Sequence, residues 1–174
     1  IANRYARDAL TTNAAMQTLN EAYPGRFLLG LGASHGHLVA GIRKHDHSRP
    51  YSYMVDYLER MDSALYMAVS AEDDPGRVLA ALGPKMLRLS ATRANGALTY
   101  FSTPEHTAGA REAMGPNALL AAEQMAVLST DPNEARRIAR AGMAIYLRLP
   151  NYFDNLVRLG YDESDRDDGG SDRL

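Results

Sequence analysis

Arg77-Val78-Leu79-Ala80-Ala81-Leu82-Gly83-Pro84-Lys85-Met86-Leu87 sets the fold class. Arg77 to Leu82 is a short apolar run with no alternation, the pattern of a strand buried on both faces of a parallel sheet. Gly83-Pro84 then opens a helix, because proline in the first turn gives up an N–H that has no intrahelical partner anyway. A buried strand passing directly into a helix is half of a βαβ unit.

Working outward, the same grammar repeats. Arg26 to Leu31 (RFLLGL) is a second continuous apolar run. Before it, Leu10, Ala14, Ala15, Met16, Leu19 and Ala22 recur at helical spacing until Tyr23-Pro24-Gly25 stops them. Residues 32–49 carry Gly, His and charge without a period and read as a long loop. After Pro50, Met54, Leu58, Met61 and Leu65 step by four, three and four, which predicts a long amphipathic helix. Glu72 to Gly76 reads as a polar turn. Toward the C-terminus, Asn95-Gly96 predicts a turn and Ala97 to Phe101 a strand. Ser102 or Thr103 is expected to cap a helix with Pro104 at its first position, ended by Gly115-Pro116. A fourth strand is predicted within Leu119 to Leu128, placed at Gln124 to Leu128. Asp131-Pro132-Asn133-Glu134 has capping-box spacing, and Ile138, Ala141, Ile145 and Leu149 form the apolar stripe of the helix that follows. Asn151 to Leu159 is expected to be a short helix, and residues 162–174 a polar, mobile tail. The alternation implies an α/β fold with a parallel sheet, closed either as an open doubly wound sheet or as a (β/α)8 barrel.

Composition narrows function. The 174 residues fit one domain, on a prior of roughly 100–200 residues each. Lys and Arg number 19 against 21 Asp and Glu, so no basic field favours nucleic acid or an acidic membrane. The absence of Cys removes disulfides, thiol nucleophiles and iron–sulfur ligation. No apolar run reaches the ~18 residues of a membrane span, and no secretion signal opens the sequence, so a cytoplasmic place is expected. The sequence starts at Ile1 in mid-element, and both ends are expected to be cut from a longer chain.

Three segments carry candidate chemistry. At Leu82-Gly83-Pro84 a helix N-terminus offers unpaired N–H groups and a partial positive charge, and glycine lets an anion approach the backbone closely. Pro84 has no N–H, so the donors are Gly83 and the residues from Lys85 on; Gly-Pro is also an ordinary way to start a helix. At Gly30-Leu31-Gly32-Ala33-Ser34-His35-Gly36-His37, His35 and His37 follow a strand end, where α/β folds build their sites; solvated loop histidines are the plainer reading. His-x-His after a strand also suits a metal-dependent hydrolase on a barrel. His45 and His47 lie nearby, but a third convergent ligand is lacking and no metal residue is assigned. Asn3 suits contact with a heterocycle, and Asp8 a helix cap. Ser102 and Thr103 offer hydroxyls to a phosphate or act simply as caps.

Gly25-Arg26-Phe27-Leu28-Leu29-Gly30-Leu31-Gly32, Leu79 to Leu87 and Ala94-Asn95-Gly96-Ala97 together resemble the bacterial luciferase-like monooxygenase superfamily. The nearer resemblance is to its branch that uses the deazaflavin coenzyme F420; Ile1 to Asp8 and Leu149-Pro150-Asn151-Tyr152 fit that branch as well. The resemblance implies a (β/α)8 TIM barrel, of which this chain covers about strands 4 to 7 over residues 1–161. It implies that Ile1, Ala2 and Asn3 match a bulge after strand 3, often with a non-prolyl cis peptide, that supports the cofactor ring. It places the cofactor phosphate against Leu82, Gly83 and Pro84, and against Ser102 and Thr103. Leu82 stands where some relatives carry a second glycine. The implied activity is hydride transfer between F420 and a small organic substrate; His35, by its place at the end of strand 4, is the expected catalytic residue at the reacting face, as proton donor or substrate contact. FMN with molecular oxygen is the alternative cofactor chemistry. Relatives of this kind often form homodimers, and half a barrel, with two open strand edges, is expected to associate with another chain.

Overall fold

The computed structural model describes residues 1–70 and 75–174. Glu72, Asp73 and Asp74 of the predicted turn lie outside the described residues. Five strands, β1 (Ala2–Asn3), β2 (Leu29–Gly32), β3 (Arg77–Ala80), β4 (Gly96–Thr99) and β5 (Leu119–Ala122), form one sheet. All neighbours are parallel and the order is β1-β2-β3-β4-β5, with no reversal. A doubly wound sheet reverses its order at a switch point. This sheet is wound in one sense, as the staves of a barrel are.

Helices join the strands: α1 (Ala9–Ala22), α2 (Pro50–Asp62), α3 (Pro84–Arg93) and α4 (Pro104–Met114), followed after β5 by α5 (Pro132–Leu147) and α6 (Pro150–Arg158). Their starts follow the local chemistry. The Asp8 carboxylate accepts from the Thr11 N–H at 2.9 Å, the Thr103 hydroxyl accepts from the His106 N–H at 3.3 Å, and the Asp131 carboxylate accepts from the Asn133 N–H at 2.9 Å. Glu134 does not close a capping box; it pairs with Arg137 at 2.8 Å. The expected loop 32–49 contains a π-helical turn over His37–Ile42, and Glu163–Gly169 holds 3₁₀ turns broken by a kink at Asp167 and Asp168.

The core lies between the sheet and its helices. Leu29, Leu31 and Leu79 pack with Met16, Met54, Leu58, Met61 and Leu89. Burying each such side chain stabilises by about 1.5–3 kcal/mol. A second cluster joins Ala81, Ala97, Leu87, Ala110 and Met114, and a third joins Phe101, Leu147, Phe153 and Leu156.

Several sequence expectations are corrected. The fourth predicted strand does fall within Leu119–Leu128, but as β5 at Leu119–Ala122 and not at Gln124–Leu128. Its ladder ends at the Thr99–Ala122 pair, and Phe101 turns β4 away through a left-handed φ of 51°, so 124–128 has no strand to pair with. β2 and β3 are shorter than the apolar runs that announce them. Leu65 lies beyond the end of α2 and is exposed. In α1, Leu10 and Leu19 face outward while Thr12, Asn13 and Asn20 are buried. On its inward face α1 buries Ala9 and Met16, and there the Thr12 hydroxyl pairs with the Tyr57 hydroxyl of α2 at 2.6 Å. In α5, Ile138 and Ile145 are exposed; the helix packs through Met143, Tyr146 and Leu147 onto the Phe101 cluster, a stripe offset from the expected one.

The two rims of the sheet differ. At the N-terminal rim, Asp62 pairs with Arg77 at 2.7 Å and Arg93 at 2.9 Å, and Asn95 accepts from the Arg77 N–H at 2.8 Å. Burial pushes the Asp62 carboxyl up, but the hydrogen bonds from Arg93 and Arg77 outweigh it and hold the group below the ordinary carboxylate range. This rim is a structural network. The opposite rim, where every strand ends, carries the candidate site.

Candidate active site at the C-terminal ends of the strands

Four strand exits surround one cleft of about 620 Å³. Its lining includes Ile1 beside β1, Ala33 to His35 after β2, Ala81 to Gly83 after β3, and Tyr100 after β4. The floor is apolar. A Cβ at Gly30 or Gly32 would run into the Ile1 side chain, so these glycines give Ile1 room to lie across the sheet.

His35 is half-buried at this mouth. Ser34 before it takes a left-handed φ of 59°, an unusual conformation for a serine and one that turns the chain out of β2. His35 Nδ1 lies 3.1 Å from Asn151 Oδ1, at the first turn of α6. An amide oxygen only accepts, so Nδ1 is the donor in this contact, and Nε2 is the ring nitrogen turned away from Asn151. His47 Nε2 donates to the Ala33 carbonyl at 3.3 Å and steadies the same exit. Arg4, almost fully buried, donates to the Pro50 carbonyl at 2.6 Å and to the Tyr5 hydroxyl at 3.1 Å, tying the end of β1 to the start of α2. Burial lowers its pKa against the pull of Tyr5, Tyr53 and Tyr57.

Tyrosines wall one side. The Tyr100 and Tyr146 hydroxyls are 2.8 Å apart, and Tyr152 meets the Tyr146 ring edge-on at 5.5 Å and the His35 ring at 5.7 Å. The hydrogen bond with Tyr146, aided by desolvation, pushes the Tyr100 phenol up to about 12; burial raises Tyr152. The two phenols are neutral at physiological pH.

The turn after β3 leaves a backbone donor open at the start of α3. Gly83 is the N-cap of α3, with φ −77° and ψ 152°, and a Cβ there would meet nothing within 4 Å. Among the described residues no acceptor takes its N–H.

Of the residues singled out in the sequence, the structure brings Ile1, His35, Leu82 and Gly83 into this cleft. Pro84 stands just outside it, exposed at the first turn of α3. Ala2 and Asn3 line a separate hollow against α1, where Asn3 Oδ1 accepts from the Tyr5 N–H at 2.9 Å. The peptide bonds at residues 1–3 are trans. Ser102 and Thr103 line a neighbouring cleft of about 710 Å³ with Glu105, Glu123, Met143 and Arg173. His37 is exposed, its ring 6.1 Å from that of His35. Among the described residues no three His, Asp or Glu side chains come together as a metal would need. Among them, too, no helix is long and apolar enough to cross a membrane. Asn151 and the Tyr100–Tyr146 pair join the site only through the fold, since nothing local in the sequence links position 151 to position 35 or 100 to 146.

The family model described as luciferase-like monooxygenase matches residues 1–172. The chain belongs to that family. Among solved structures it is similar to an F420-dependent secondary alcohol dehydrogenase in complex with an F420-acetone adduct, at 14% identity and a TM-score of 0.64 over 93% of this chain and 60% of the other. It is also similar to the coenzyme F420-dependent tetrahydromethanopterin reductase from Methanopyrus kandleri, at 20% identity and a TM-score of 0.62 over 95% of this chain and 59% of that one. At these identities the likeness is one of fold. The chain spans about three fifths of the length of these structures. No curated protein matches it.

Proposed function

We propose that the chain is part of an F420-dependent oxidoreductase that moves a hydride between the deazaflavin and a small organic substrate. In this reading residues 1–161 supply the end of strand 3 and strands 4 to 7 of an eight-stranded barrel, with 162–174 appended. The observation that carries it is the meeting of Ile1, His35, Leu82 and Gly83 at one cleft on the rim where the strands end. Family membership points to a flavin-like cofactor, and the residues fit one. The apolar floor of Ile1, Ala80, Ala81 and Leu98 suits a flat ring, and the free N–H of Gly83, which lines the cleft, suits a phosphate.

When bound, the cofactor accepts or donates the hydride at its ring. The protein's tasks are then positional. Gly83 and the first turn of α3 hold the anionic tail, Ile1 supports the ring plane, and the tyrosines keep water from the cleft. His35 Nε2, facing away from Asn151, takes up or returns the proton at a substrate oxygen. Ser102 and Thr103 are proposed as further phosphate contacts from α4, and Ala2, Asn3 and Pro84 as backbone that sets the ring support and the turn.

Fluorescence titration with F420 and separately with FMN tests this reading. Micromolar or tighter F420 binding and weaker FMN binding are expected. Tighter FMN binding would move the assignment to an oxygen-using flavin monooxygenase, and failure to bind either would refute it.

A further inference from the structure

His106 is the one buried histidine among the described residues, and its ring does not line the cleft. It sits in the first turn of α4, yet its side chain leaves that helix and reaches the neighbouring βα turn. Nε2 lies 2.8 Å from the Leu82 carbonyl oxygen. A carbonyl only accepts, so Nε2 carries the hydrogen. Nδ1 is buried without a partner, which makes the Leu82 contact the ring's one side-chain hydrogen bond.

That contact has a directional consequence. The Leu82–Gly83 peptide is planar and trans, so its C=O and N–H point in opposite directions. Gripping the carbonyl on the α4 side therefore turns the Gly83 N–H to the other side. That N–H lacks a protein acceptor among the described residues, and Gly83 lines the cleft. Without the grip, the peptide is free to rotate its N–H out of line, since Gly83 carries no Cβ to restrain it.

We infer that His106 is a positioning residue that locks the Leu82–Gly83 peptide and presents the Gly83 N–H to an anionic ligand group. It also couples the two turns proposed to meet the phosphate, because the same residue's backbone N–H bonds to Thr103. The inference rests on the proposed function only for the identity of the anion; the locking of the turn stands on geometry.

The test compares the full chain with His106→Leu and His106→Gln. The leucine fills the space and removes a polar ring whose other nitrogen is unpaired, so folding is retained; glutamine keeps an N–H donor at similar reach. Hydrogen exchange of the cofactor-free protein comes first. In His106→Leu the peptide covering 81–89 should exchange about fivefold faster, the effect of losing one buried hydrogen bond, and His106→Gln should restore it. In fluorescence titrations His106→Leu should weaken F420 about tenfold while sparing the phosphate-free deazaflavin nucleoside. Unchanged exchange over 81–89 in His106→Leu overturns the inference, as does equal weakening of both ligands. If exchange responds as expected while the wild type binds neither F420 nor FMN, the locking stands and the functional reading fails.

Discussion

Gly83→Asp separates the ligand role of the β3–α3 turn from its folding role. The site tolerates the change sterically: φ is −77°, ordinary for an L-residue, and a Cβ meets nothing within 4 Å. Aspartate is also a favoured N-cap, better than glycine by a few tenths of a kcal/mol. The melting temperature should therefore stay level or rise slightly. Affinity should move the other way. A carboxylate about 5 Å from one negative charge of a bound phosphate repels it by about 0.8 kcal/mol at the dielectric of water and about 3 kcal/mol at an effective value near 20. That is a weakening of about 4-fold to 200-fold, and the new carboxylate also competes for the first-turn N–H groups of α3. Fluorescence titration with F420, alongside thermal unfolding, reads both effects. Raised salt should shrink the loss, because the cleft is open to solvent. Unaltered affinity in a folded Gly83→Asp protein would refute the assignment of this turn to the phosphate.

Other predictions follow from the same geometry. His35→Ala should lower turnover by about 100-fold or more, the scale of general acid–base catalysis, with cofactor affinity little changed; Asn151→Ala should lower it less, by loosening the ring. Steady-state kinetics and titration check both, and an unchanged rate in His35→Ala would dismiss that role. Tyr146→Phe removes the hydrogen bond that raises Tyr100, so ultraviolet titration should show the Tyr100 phenol falling from about 12 toward 10. The sign follows: a phenol raised on folding stabilises the fold while protonated, and the contribution is lost as pH rises through that window. Gly96→Ala should destabilise by at least ~2 kcal/mol in denaturant unfolding, because its Cβ would fall on the Leu119 carbonyl of the neighbouring strand.

What was legible in the sequence was what local chemistry decides. The helix starts at Asp8, Pro50, Pro84, Thr103 and Asp131 follow from capping residues and prolines. β2, β3 and β4 overlap their apolar runs. The Leu82–Gly83 turn and His35 were visible because each follows a strand directly. What failed depended on long-range partners. Gln124–Leu128 is apolar enough for a strand, but the ladder with β4 is already complete at Ala122. Leu10 and Leu19 look like core, yet α1 turns Ala9, Met16 and Thr12 inward, where Thr12 pairs with Tyr57 of α2. Asn151 reaches His35 across 116 positions, and His106 reaches Leu82 across 24; neither pairing leaves a mark at one place in the sequence.

A crystal structure of the protein with F420 bound tests the central claim most directly. The account predicts a phosphate oxygen within hydrogen-bond distance of the Gly83 N–H and the ring plane over Ile1, with His35 Nε2 open to the substrate side. A cofactor lying instead in the cleft beside Met143 and Arg173, with the Gly83 N–H left empty, would contradict it.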